Sequence, residues 1–219
     1  GQRCVDDDGT TTNVVRPTSD GAFLDELVAG TYFGPFSTVL VDSEVFDRVG
    51  PLAEGLPCWQ DREWYLRLAH RYGYETVPTP LTVRRVTADG VSANYEGRRD
   101  VAYPRMVAAH ADRLADRDPA YEWRFRATMA RCVGGAALRD GRYGEAVRFL
   151  VESLRRDPTA GRSYAYLAAA LGGPATHVAA RMAKRWVNRL RDGGVERDAA
   201  ETPSVSESEP ERLTEGRRG

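Results

Sequence analysis

Residues 58–85, CWQDREWYLRLAHRYGYETVPTPLTVRR, constrain the fold more than any other stretch of the chain. A helical period runs from Asp61 through Tyr65, Leu68, Ala69 and Tyr72, at i+4, i+7, i+8 and i+11. Gly73 stops it, and residues 74–86, YETVPTPLTVRRV, follow as an extended segment. Pro78 and Pro80 place that segment at a sheet edge or in an irregular stretch. A helix joined to a strand in this way makes the first part of the chain α/β. The apolar stripe opens on a carboxylate. Asp61 is therefore either a capping residue or a residue placed for chemistry. Glu63 and Arg67 lie off the stripe and are expected to pair at i,i+4 on a wet face.

The segments on either side fill in the layout. Asp8-Gly9 predicts a turn between short strands at Cys4-Val5 and Asn13-Val14-Val15. Residues 21–33 read as a short helix, capped by Asp20 and stopped at Gly30. PFSTVLV (35–41) is the best candidate for a buried strand, and DSEVFDRVG (42–50) is a helix capped by Asp42 or Ser43 and ended by Gly50. Near residue 95 the pattern becomes purely helical. The expected organisation is an α/β part over 1–95, a helical part over 96–192, and a charged, Ser/Pro-rich disordered tail over 193–219.

Composition excludes some classes. The net charge of −1 gives no global attraction to nucleic acid. Cys4, Cys58 and Cys132 are far apart and form no CxxC, and His70, His110 and His177 show no metal-ligand spacing. An odd cysteine count favours a reducing compartment, hence a cytoplasmic location. No window reaches the ~20 apolar residues of a membrane span.

Within the helical part, residues 129–158 carry small or apolar residues at Ala130, Val133, Gly134 and Ala137, a turn at Asp140-Gly141, then Ala146, Leu150, Ser153 and Pro158. This layout resembles one tetratricopeptide repeat, with Tyr164, Leu167, Ala168 and Leu171 opening a second. One and a half repeats cannot stand alone as a solenoid, so this unit is expected to dock on the rest of the chain.

Residues 5–92 resemble the acceptor half of a family 2 glycosyltransferase with the GT-A fold. RVGPLAEGLP, Gln60-Asp61, REWYLRLA and TVPTPLTVRR follow in that family's order, with Gln60-Asp61 where it carries an acidic pair. The resemblance implies a partial GT-A sheet and an inverting transfer from a nucleotide-sugar donor to a glycan or lipid-linked acceptor. It makes Asp61 the general base, with Gln60 beside it in the substrate site. Trp59 is a candidate to stack on an acceptor sugar; Arg84 or Arg85 would reach a diphosphate, or lie on the surface. The family's donor-binding half, with its Asp-x-Asp metal motif, does not match any part of residues 1–34. Asp6-Asp7-Asp8 read as a hairpin turn, so magnesium or manganese is implied for the complete enzyme and not expected to bind this chain alone. Gln60 departs from the family's Glu, and Thr87 stands where a His is common. The partners expected are the donor and the acceptor, without nucleic acid or a transmembrane segment, with peripheral contact at the inner membrane face. The competing reading is a non-catalytic interaction module that uses the repeat-like helices.

Overall fold

The computed structural model describes residues 1–17, 23–31, 33–86 and 94–176. Asp20, Thr87, His177 and the tail over 193–219 lie outside the described residues. The architecture is mixed α/β and mostly helical, with one three-stranded sheet of order β2-β1-β3. Strands β1 (Gln2–Val5) and β2 (Thr11–Val15) form an antiparallel hairpin around the Asp8-Gly9 turn, with a bulge at Cys4/Val5. Strand β3 (Thr82–Arg85) pairs parallel to β1, Gln2 opposite Thr82 and Val5 opposite Arg85. A parallel neighbour requires a long crossover. Here the crossover holds α1 (Phe23–Ala29), α2 (Ser43–Val49) and α3 (Gln60–Ala69).

Local chemistry sets the ends of α2. Asp42 accepts the Glu44 N–H at 2.9 Å, and Gly50 ends the helix at φ 82°, where a side chain would be strained. The expected strand over 35–41 is absent. Thr38 N–H bonds the Pro35 carbonyl at 2.9 Å and its hydroxyl bonds the same carbonyl at 2.7 Å, so Phe36–Thr38 coil into a 3-10 turn. These local bonds replace a ladder partner. Phe36 still packs on Trp64 and Tyr65, at ring centroids of 5.5 Å, whereas Leu40 is 98% exposed.

Helix α3 is buried nearly all round. Tyr65, Leu68 and Ala69 face the core as the stripe requires, and Tyr72 packs against it. Trp64 is fully buried, with its indole N–H on the Gly50 carbonyl at 3.0 Å. The face expected to be wet is also covered. Glu63 is only 7% exposed; it pairs with Arg67 at 2.9 Å and meets His110 at 3.3 Å. Arg67 also donates to the Val49 and Pro51 carbonyls, satisfying the free end of α2. The helical period of α3 alone contains no sign of these partners, which come from α2 and from a helix some forty residues on.

From residue 94 the chain is helical: a short turn α4 (Tyr95–Gly97), a π-turn over Arg98–Ala102, then α5 (Tyr103–Arg117), α6 (Pro119–Arg139), α7 (Tyr143–Arg156) and α8 (Gly161–Leu171). Helices α6 and α7 form the expected hairpin through Asp140-Gly141, although α6 reaches back to Pro119 and is longer than the repeat-like pattern. Gly134 lets them approach: a Cβ there would stand 2.8 Å from Leu150 Cγ and 3.3 Å from the Ala146 carbonyl. The stripe expected on α8 is rotated. Ser163 and Ala170 are buried, while Tyr164, Ala168 and Leu171 face outward. The Ser163 hydroxyl meets that of Ser153 at 2.9 Å, and this buried polar pair sets the register. Helix α8 is apolar on most sides, so its packed face is ambiguous from sequence alone.

Two core clusters result. One joins α1, α3, α5 and the start of α6; the other joins Tyr95, the end of α6, α7 and α8. Trp59 and Tyr103 pack against both.

Candidate functional site

The entry to α3 has an uncommon backbone. Trp59 is its N-cap residue, at φ 68° and ψ 20°, with no side-chain capping bond. Among the described residues it is the one non-glycine with positive φ. A bulky residue held there costs on the order of 1–3 kcal/mol, so its surroundings must enforce it. The left-handed step turns the chain from buried Cys58 into α3. It leaves Gln60 and Asp61 in the first turn, both half-buried.

Asp61 is not the N-cap, but it helps to satisfy the first turn. Its Oδ1 accepts the Arg62 N–H at 2.7 Å. Burial pushes the Asp61 pKa above the ordinary carboxylate value; that backbone bond and the charges of Arg62 and Arg84 pull it down without cancelling the rise. A helix N-terminus by itself would lower it. Desolvation wins here, and the carboxylate is a stronger base than a surface aspartate.

Of the two arginines on β3, one has its charge act on Asp61. Alternation along a strand sends neighbours to opposite faces. Arg84 shares the half-buried face with Thr82, whose hydroxyl reaches the Ser37 carbonyl at 3.2 Å, and its charge acts on Asp61. Arg85 is exposed on the other face, its guanidinium 3.5 Å from the Asp7 carbonyl. Gln60 is committed locally: its amide N–H donates to the Leu56 carbonyl at 2.6 Å. A glutamate at this position would set a carboxylate against that carbonyl. Trp59 stays half-buried beside Asp61, whereas Trp64 is core.

Sequence reasoning missed Arg98 and Cys58. Arg98 lies in the charged run EGRRD (96–100), which reads as solvated surface, yet it is buried. Its guanidinium sits 5.3 Å from the Trp59 ring centroid, and its charge acts on the Cys58 thiol. Burial pushes that thiol's pKa up, and Arg98 pulls it partly back. The π-turn that carries Arg98 has no sequence signature.

The Asp6–Asp8 run does not have the form of a metal site. Asp6 Oδ1 accepts the Asp8 and Thr10 N–H groups at 3.2 and 2.8 Å, closing the hairpin. Among the described residues no three His, Cys, Asp or Glu side chains converge as a metal set, and no helix is long and apolar enough to cross a membrane.

No protein-family model, curated protein or solved structure matched the chain.

Proposed function

We propose that this chain is the acceptor side of an inverting glycosyltransferase, with Asp61 as general base. The observation that carries the reading is Asp61 itself. It is half-exposed at the first turn of an otherwise buried helix, made more basic by burial, two residues after Trp59 and within reach of the Arg84 charge. A general base needs access to its proton and a pKa raised toward the working pH. In the proposed step the acceptor hydroxyl gives its proton to Asp61 as its oxygen bonds to the anomeric carbon. The bond from that carbon to the phosphate oxygen breaks, and a nucleoside diphosphate leaves. Arg84 would offset charge on the diphosphate. The Trp59 ring would take the apolar face of the acceptor sugar.

The open edge of β3 supports a larger GT-A sheet. Among the described residues β3 has β1 as its one ladder neighbour. Val83 on that strand and Leu81 just before it are exposed. The reading assigns this edge to further strands of the donor-binding half. The sequence resemblance and the order of its motifs support the same assignment.

The test is an acceptor-dependent release of nucleoside diphosphate by the full polypeptide carrying this chain and a donor-binding half. A panel of nucleotide sugars with manganese is offered, with glycan and lipid-extract acceptors. Release from at least one donor that requires the acceptor is expected. Release from none, together with retention of a protein partner on the α6–α8 helices, would favour the interaction-module reading.

A further inference from the structure

We propose that Arg98 is a positioning residue of this site, through which the helical part holds the turn that aims Asp61. The inference rests on the proposed role of Asp61, and it draws on contacts that the transfer chemistry itself does not use.

The turn needs an external hold. Trp59 sits in the left-handed region without a capping bond, and nothing in a bulky indole favours that conformation. Arg98 acts on both residues of the turn. Its guanidinium lies over the Trp59 ring at 5.3 Å, and its charge acts on the thiol of Cys58, the residue before Trp59 in the chain. A planar guanidinium can lie against a ring in a way a compact ammonium cannot. At 5% exposure Arg98 is held by packing and has little freedom to swing away.

Arg98 is in turn fixed from the helical hairpin. The Asn94 side chain accepts the Gly97 N–H at 2.8 Å and starts the turn that leads into the π-segment. The Tyr95 hydroxyl bonds Glu145 of α7, and Arg99 pairs with the same carboxylate at 3.0 Å. Arg142 reaches Glu96 at 3.1 Å and lies 5.1 Å from the Tyr95 ring centroid. The line of contacts therefore runs from α7 to residues 95–99, through Arg98 to Trp59, and so to the first turn of α3. Trp59 packs against both cores, as this line requires. The helical part then has a catalytic consequence without contributing a group that touches substrate.

The experiment uses fluorine NMR on the chain labelled with 5-fluorotryptophan, with the Trp59 resonance assigned by Trp59→Phe. Arg98→Gln removes the charge and the stacked fork. The Trp59 resonance is expected to shift and broaden while that of Trp64 stays in place. In the full polypeptide, kcat should fall about tenfold or more with the donor KM unchanged, the scale of a small misplacement. Arg98→Lys keeps the charge without the fork and serves if the Gln variant does not fold; it should move the same resonance by less. An unmoved Trp59 resonance in whichever variant stays folded would overturn the proposal. The fluorine result does not depend on turnover. A failure of Asp61 as base, seen as normal transfer by Asp61→Asn, would leave it standing and is thereby distinguishable.

Discussion

Replacing Gly134 by alanine sets two known effects against each other. In a helix interior, alanine is favoured over glycine by about 1 kcal/mol. At Gly134 the added Cβ would stand 2.8 Å from Leu150 Cγ and 3.2 Å from its Cδ2, with the Ala146 carbonyl at 3.3 Å. The first contact is shorter than carbon atoms tolerate, and Leu150 is fully buried between packed helices. Relieving it requires α6 and α7 to part or Leu150 to leave its rotamer, an overpacking cost of about 1–3 kcal/mol. The net expectation is a loss of about 1 kcal/mol, or roughly 2–4 °C in Tm for a chain of this size. Gly144, in the first turn of α7, is the control, because a Cβ there meets nothing within 4 Å. Gly144→Ala should hold or raise Tm. Differential scanning calorimetry on both variants decides the matter. Equal gains in Tm from the two substitutions would show that α6 and α7 do not approach as described.

Ala146 is fully buried in the same contact, so Ala146→Glu should cost several kcal/mol, read as the loss of the cooperative melt at the parent Tm. His70 is held down at about 4 by burial, then by the charges of Arg113 and His110, against 6.5 when free. Between those values the unfolded chain binds the extra proton, so stability should fall as pH drops from 6.5 toward 4; His70→Gln should flatten that slope in melts taken across the range. Gln60→Glu should destabilise by about 1–3 kcal/mol by turning a donated hydrogen bond into an oxygen–oxygen contact, checked by urea titration.

What the sequence revealed, and what it hid, follows from the range of the interactions. The hairpin, α2 with its Asp42 cap, the stripe of α3 and the α6–α7 turn are all set by neighbours a few residues apart, and each is legible. The 35–41 segment misled because β-branched residues signal a strand only when a partner strand pairs with them; local bonds from Thr38 took over instead. The period of α3 predicts an exposed Glu63 because His110, which meets it, is distant in sequence, as is the end of α2 that holds its partner Arg67. At the site, Asp61 and Trp59 stood out through their positions. The separation of Arg84 from Arg85 needed only strand alternation, once the strand was known. Arg98 was hidden: a charged residue in a charged run looks solvated, and its burial depends on the π-turn and on α7.

The central claim is that the Asp61 carboxylate takes the acceptor proton. The most direct measurement is the transfer rate of Asp61→Asn beside the parent, in the full polypeptide, with the melting temperature recorded on the same samples. Asparagine keeps the shape and an oxygen for the Arg62 N–H but cannot accept the proton. The account predicts a fall in rate of about 100-fold or more, with stability changed by less than about 1 kcal/mol. It also predicts that the parent's rate rises with pH through a value above the ordinary aspartate range, because burial raises the Asp61 pKa. Parent-like turnover by the Asn variant, at any melting temperature, would contradict it.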